Sequence, residues 1–490
     1  KEVQVNKLEI THRNFSGREN AFISINDFYN SKDNALALIG DSGTGKSMIL
    51  QEEIYRRRQA GDKVLFFLLG VGDKSNSKFL LLSSLYFQTC KYLKTKFPKK
   101  YFDLSEVEND YDKIVSKFLF NINLLSKENR VYLYIDALDQ IEGAESVIDF
   151  IHTRYLIENN LDIKIVVTTT KKEEILNELT FRLFKLNNLP KLTQNDIVSI
   201  TEHKLALEKK TLNKSCMNEI VKKNSGSDSP LYLSLLVQKI TNLNYKDFQN
   251  IQTLESNLSA EEAIYFYIQS VINGSSSNIN GLLFDMIGDA GRKISDRFVY
   301  LVLGIISMSR SGVREKDIQG IFNQLNESYS SSDFSYLRKM FRNFITNVSS
   351  YYDFSHKIID DTLEDYYFNK NKAESIEISK ETLNYLDSLP NDDVFKKSEY
   401  LFYCYRANDI DRFTKHIEEN HDEEDLSYLF SLFSEFENSN SVSEFFLSIE
   451  NLDNNLINLL IKSIGIADFK TRKKVCLILL NKKDLSIENK

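Results

Sequence analysis

Near-continuous apolar runs alternate with amphipathic stretches over the first 190 residues. Ala35–Ile39, Val64–Leu69, Val131–Ile135 and Ile163–Thr168 are short and apolar at consecutive positions, and Leu183–Leu186 is a weaker fifth run. Met48–Ala60, stopped by Gly61, and Phe79–Tyr92 instead carry helical spacing. A strand apolar at consecutive positions must be covered on both faces. The pattern therefore predicts a parallel sheet with helices on either side.

After Pro190 the character changes. Thr193–Ile272 reads as helix, broken at Asn224–Pro230, and Asn273–Ser277 is a polar linker. Phe298–Met308 predicts a buried helix, Arg314–Asn326 an amphipathic one and Phe334–Phe341 a third. Phe344–Phe354 predicts a β-hairpin, and helices followed by a hairpin is the winged-helix order. From Ala373 onward the chain reads as helix pairs with no strict repeat, as degenerate helical-hairpin arrays do.

Composition excludes several classes. With 4 Pro and 17 Gly in 490 residues, neither a collagen-like nor a Pro-rich disordered chain is possible, and long helices are favoured. Against 70 acidic residues stand 62 basic ones, a net charge of −8, so no global field gathers nucleic acid. A local basic patch could be Arg338, Lys339 and Arg342 beside Tyr336, whereas Arg56, Arg57 and Arg58 read as a solvated helix face. Nucleic acid is not the expected partner. Cys90, Cys216, Cys404 and Cys476 are far apart, which fits neither a disulfide framework nor a zinc site and suits a reducing cytoplasm. The longest clean apolar run, Phe298–Met308, is about half of the roughly 20 residues that span a bilayer, so no membrane partner is expected. No signal peptide heads the chain, which opens on Lys1 and not Met; an N-terminal portion is expected to precede it.

The chemistry lies in Gly40-Asp41-Ser42-Gly43-Thr44-Gly45-Lys46-Ser47, a complete GxxxxGK[ST] motif with Met48 next. It follows an apolar strand and opens a helix. Glycines let backbone N–H groups wrap phosphates, and the helix N-terminus adds positive dipole. Lys46 is placed to reach the β- and γ-phosphates and Ser47 to ligate Mg²⁺. The metal needs a carboxylate at the end of another strand. Asp136 follows Val131–Ile135, with Asp139 three residues on, placed to polarise an attacking water. Asp136 could alternatively be a helix N-cap and Asp139 a loop support. Thr168-Thr169-Thr170 ends a further strand at the carboxyl edge, where ligands of such sheets bind; strand packing is the alternative.

With these motifs in order, residues 12 to 370 resemble a STAND-class NTPase of the NACHT/AP-ATPase kind. Phe15-Ser16-Gly17-Arg18-Glu19 resembles the F-x-G-R-E segment whose counterpart contacts the base region of the nucleotide. Asp136-Ala137-Leu138-Asp139-Gln140 resembles the Walker B segment, with Gln where the last acid usually stands. Thr168-Thr169-Thr170 resembles the T-T-R sensor without its Arg, for which Lys171 or Lys172 could substitute. Ser229-Pro230-Leu231-Tyr232-Leu233 resembles the G-x-P-L-x-L motif whose Pro packs by the adenine. Phe354-Ser355-His356 falls where the winged-helix histidine of the class nears the β-phosphate. Phe66–Gly70 with Asp73-Lys74-Ser75 resembles the second-strand region of NACHT domains.

The resemblance implies an α/β P-loop core over residues 1–190, a helical domain and linker over 191–290, a winged helix over 291–372 and a helical-repeat sensor over 373–490, which ends as if truncated. It further implies a slow ATPase used as a switch. ADP closes the core, and a protein trigger at the repeats, such as a phage protein, releases it. ATP then favours a homo-oligomer that drives an N-terminal effector outside this chain, in antiviral defence. ATP or ADP with Mg²⁺ is the expected cofactor. A DNA-binding STAND regulator and an AAA+-like motor ATPase are the alternatives.

Overall fold

A computed structural model of the chain describes residues 2–69, 78–96, 111–127, 129–141, 161–224, 229–244, 247–248, 259–310 and 312–419. They fall into two compact units, Lys1–Leu282 and Leu283–Lys490. Gly70, Asp73, Lys74, Ser75, Cys476 and the part of the expected array beyond residue 419 lie outside the described residues.

The first unit is built on a five-stranded parallel sheet: β1 (Ala35–Ile39), β2 (Lys63–Phe67), β3 (Val131–Ile135), β4 (Ile163–Thr169) and β5 (Lys185–Asn188). Their order is β2-β3-β4-β1-β5, so β4 lies between the strand leading to the glycine-rich loop and the strand leading to Asp136. In register, Ala35 stands opposite Ile165 and Val131 opposite Ile163.

The continuous apolar runs are two period-two patterns superposed, since successive side chains leave opposite faces. Ala35, Ala37, Leu65, Phe67, Leu133, Ile135, Ile165 and Val167 enter one core, shared with α4 (Lys78–Lys96) and α5 (Tyr111–Ser126). Leu36, Leu38, Val64, Phe66, Tyr132, Tyr134 and Val166 enter the other, shared with α1 (Glu2–Asn14), α2 (Glu19–Asn30) and α3 (Lys46–Gln59). At about 1.5–3 kcal/mol for each large apolar side chain taken from water, both faces contribute to holding the sheet.

Element ends differ from the expectations at two informative places. The helix expected from Met48 begins at Lys46, because Gly45 at φ 90 turns the chain straight into it. The fifth strand begins at Lys185 and not Leu183, because α6 (Glu173–Phe181) must first be closed. Leu183 adopts φ 62 and the Phe184 N–H reaches back to Leu179 O at 2.9 Å, a left-handed helix ending. Nor is the Arg56–Arg58 run a uniformly solvated face. Arg57 bonds Glu53 at 2.9 Å and lies over the rings of Tyr29 and Tyr132, while Arg56 pairs with Glu52 at 2.7 Å. The aromatic residues that β3 and α2 carry to this face recruit the guanidinium.

Four further helices follow: α7 (Gln194–Leu207), α8 (Lys214–Asn224), α9 (Pro230–Thr241) and α10 (Ala260–Gly274). Local chemistry fixes their starts. Thr193 and Asp196 form a capping box for α7, and Ser259 and Glu262 one for α10. Ser229 caps α9, with Pro230 at its first turn. α11 (Ile279–Lys293) comes next.

In the second unit, α12 (Asp296–Met308), β6 (Val313–Arg314), α13 (Glu315–Gln324), α14 (Ser331–Met340), β7 (Ile345–Val348) and β8 (Tyr351–Phe354) succeed one another. The strands form an antiparallel sheet of order β6-β8-β7. Ser349 and Ser350 at φ 52 and 73 make the two-residue turn that matches strand twist. The expected basic patch is already committed in part, since Arg338 donates to Tyr352 Oη and lies over the rings of Phe334 and Tyr352. α15 (Lys357–Glu364), α16 (Lys372–Ser388), α17 (Val394–Ala407) and α18 (Ile410–Glu419) complete the described chain. No helix of the described residues is long and apolar enough to cross a membrane.

Candidate functional site

The glycine-rich loop leaves β1 at its carboxyl end and is anchored to β4 by a bond from Gly40 N to Thr169 O. Gly43 and Gly45 have φ 80 and 90, a region that a Cβ disfavours. A Cβ on Gly40 would stand 2.7 Å from Thr44 Oγ1, so the turn also needs glycine for space. Lys46 folds its ammonium back over the loop, donating to Gly40 O at 2.6 Å and Asp41 O at 2.9 Å. Burial pulls this ammonium below its ordinary pKa, while Asp139, Asp136 and Asp41 push the other way. Ser42 is exposed on the loop, and Ser47 and Met48 follow in the first turn of α3, where helix amides are unpaired.

Asp136 is 3% exposed at the end of β3. Thr168 Oγ1 accepts from Ala137 N at 2.7 Å and donates to Asp136 Oδ1 at 2.6 Å. Burial raises the Asp136 pKa; the bond from Thr168, the nearby Ser47 hydroxyl and the charge of Lys46 oppose that. Asp139 is engaged by Thr170, whose N–H and hydroxyl reach it at 3.2 and 2.8 Å, and Lys172 Nζ donates to Asp139 O at 3.0 Å. The threonine run thus orients both carboxylates. Lys171 takes a different position, pairing with Asp41 across the loop at 2.9 Å.

Two neighbours clamp the loop from outside. Arg18, 4% exposed and at φ 68, donates from its guanidinium to Thr44 O at 2.6 Å and to Pro190 O. Its own N–H is held by Asp196 Oδ1 at 2.7 Å. Burial raises the Asp196 pKa, but bonds from Thr193 and from Arg18 bring it below the ordinary value. On the other side, Ser229 Oγ donates to Gly43 O at 3.0 Å and Leu231 N donates to the same carbonyl at 3.3 Å. A Cβ on Gly45 would lie 3.4 Å from Pro230 Cγ. Gly40–Met48, Asp136, Asp139, Thr170, Arg18 and Pro230 are therefore assembled around one loop. His356 heads α15 in the second unit. Asp196 and Ser229 were missed as site residues. Their signal was visible: each is the polar member of a helix start that abuts a motif.

The residues fit a nucleoside phosphate with a hard cation. Ser47 and Asp136 offer oxygen ligands, and Mg²⁺ is usually held by one or two carboxylates together with phosphates and water. Sheet, loop and carboxylates together are a P-loop NTPase fold.

The family model described as Nephrocystin 3, N-terminal, matches residues 20–170. Among curated proteins, no sequence matches. Similar solved structures include the Walker-type ATPase PABY2304 of Pyrococcus abyssi, 14% identical, covering 71% of this chain and 95% of that one at a TM-score of 0.35. The Aeropyrum pernix ORC1 protein in complex with DNA is 14% identical, covering 73% and 94% at 0.32. AMPPCP-bound DnaA of Aquifex aeolicus is 12% identical, covering 76% and 95% at 0.29.

Proposed function

We propose that this chain is an ATP/ADP-dependent switch of the STAND kind, in which nucleotide turnover is slow and sets a conformational state. The carrying observation is that Gly43 O, in the phosphate loop itself, accepts from both Ser229 and Leu231 at the start of α9. A phosphate that reshapes this loop acts directly on the helical segment, which is what a switch requires. Lys46, with Ser47 and Met48, would hold the phosphates; Ser47 and Asp136 would hold Mg²⁺, and Asp139 would orient the attacking water. Mg²⁺ would supply charge stabilisation at the phosphates.

In this reading the helices and three-stranded sheet of residues 291–372 act as a winged helix, and His356 contributes to ADP retention. The order of α12, β6, α13, α14, β7 and β8 supports that assignment. Residues from 373 onward receive a protein trigger, the ATP form is a homo-oligomer, and the biological role is antiviral defence in the cytoplasm. The last step rests on the family resemblance alone.

The test is the nucleotide carried by the purified chain, released by denaturation and separated by ion exchange, with Lys46→Ala as control. Stoichiometric ADP that survives gel filtration in the parent and is absent from Lys46→Ala is the expected result. An empty chain that turns ATP over steadily would sink the switch.

A further inference from the structure

The turn that follows Asp136 is pinned at several points. Ala137 adopts φ 51, a left-handed conformation that costs a residue with a Cβ roughly 1–2 kcal/mol. Its neighbours hold it there. Leu138 is fully buried, Ala137 N donates to Thr168 Oγ1 at 2.7 Å, and Lys172 Nζ donates to Asp139 O at 3.0 Å. So held, the Asp139 carboxylate meets Thr170 with both oxygens. The Thr170 N–H donates to Oδ1 at 3.2 Å and the Thr170 hydroxyl to Oδ2 at 2.8 Å.

The residues on either side of Thr170 border the phosphate loop. Thr169 O accepts from Gly40 N at 3.3 Å, and Lys171 pairs with Asp41 at 2.9 Å. Thr170 lies between these two anchors, so the carboxylate it holds is placed beside the loop. A threonine has two donors, its N–H and its hydroxyl, and both are given to Asp139. Neither is left for a phosphate, although Thr170 stands where the resembling sensor motif carries its Arg. A carboxylate has about four lone-pair sites, so one donor on each oxygen leaves it able to accept from a water. Held at both oxygens, it also fixes the direction of that water.

We propose that Thr170 is a positioning residue for hydrolysis: it fixes Asp139 as acceptor for the attacking water and makes no contact with the γ-phosphate. The inference rests on the nucleotide reading above. The water oxygen bonds to the γ-phosphorus as the bond to the β,γ-bridging oxygen breaks. ADP leaves with that electron pair, and one proton of the water passes to Asp139, which later releases it to solvent. Without the Thr170 hydroxyl, Asp139 keeps only the longer N–H bond and loses its aim, while the groups that bind the nucleotide are untouched.

The experiment follows a single turnover of bound radiolabelled ATP by the full chain, for the parent, Thr170→Val and Thr170→Ser. Affinities for ATP and ADP are read by competition with a fluorescent ADP analogue, and Thr170→Val is repeated in an Asp139→Asn background. Thr170→Val should hydrolyse ATP on the order of tenfold to a hundredfold more slowly, with both affinities unchanged. Thr170→Ser should restore the rate, and in Asp139→Asn the valine should slow nothing further. If ligand-free unfolding shows that Thr170→Val does not fold, Thr170→Ala carries the comparison. An unchanged rate in Thr170→Val overturns the proposal. So does a loss of ATP affinity with ADP affinity kept, since Thr170 would then touch the γ-phosphate. Equal slowing in the Asp139→Asn background also overturns it, since Thr170 would act by another route. A parent that binds ATP and never hydrolyses it overturns this inference and leaves the binding reading intact; a parent that binds neither nucleotide fails that reading, and this inference with it.

Discussion

Replacing Arg18 by Met separates two roles that the same side chain could have. The resemblance assigns it to the base region of the nucleotide, whereas the guanidinium observed here donates to Thr44 O and Pro190 O. A hydrogen bond involving a charged group contributes about 1.5–3 kcal/mol. Two such bonds at a residue 4% exposed place the loss at about 3–6 kcal/mol, with two carbonyls left poorly satisfied. At about 2–4 °C per kcal/mol for a body of this size, Tm should fall by roughly 10 °C without ligand. Thermal unfolding of Arg18→Met and Arg18→Lys, with and without ADP, measures it; the lysine variant should lie between. A ligand-free Tm unchanged in Arg18→Met, together with weakened ADP binding, would refute the bracing argument and return Arg18 to the nucleotide.

Lys171→Ala should leave Tm nearly unmoved, because its pair with Asp41 is exposed and such pairs contribute about 0–1 kcal/mol. Its effect should instead be an approximately tenfold loss of ATP affinity with ADP affinity retained, read by competition binding, if this cation meets the γ-phosphate. Arg314→Met should destabilise the second unit by about 3–5 kcal/mol, since it strips the ion pairs from Asp317, whose side chain is 0% exposed, and from Asp393. Burial raises the Asp393 pKa, but Arg314 and the N–H groups of Phe395 and Lys396 bring it below the ordinary value. Its stabilising contribution is therefore present above about pH 4 and lost as pH falls through the lowered value. Tm of the parent should consequently decline more steeply below pH 4 than Tm of Arg314→Met; parallel acid profiles would contradict the pairing.

The sheet was legible because its strands are covered on both sides, which leaves long apolar runs that few other structures require. The glycine-rich loop was legible because positive φ and close backbone approach restrict the residue type. Helices α1, α2 and α5 carried no comparable mark. Their inner faces are interrupted by Thr11, Arg18 beside α2, and Asn121, polar groups whose partners lie far away in sequence. The bracing by Arg18 was hidden for the same reason: its partners are carbonyls at 44 and 190, and a carbonyl has no letter. The division of labour between Lys171 and Lys172 likewise needed coordinates. Adjacent residues at a strand exit point opposite ways, one to the loop and one to Asp139.

Thr168 has a single hydroxyl hydrogen. With its oxygen already occupied by Ala137 N, that hydrogen is given to Asp136. The hydroxyl is thus a ruler between β3 and β4, and the aim of the carboxylate is inherited from sheet spacing. Drift in the connecting loops does not turn it. Thr168→Ser keeps the measure, whereas Thr168→Val removes it and leaves Ala137 N and a buried carboxylate without the same partner. The tolerance of this site to change is consequently narrow at one hydroxyl near the carboxyl end of β4.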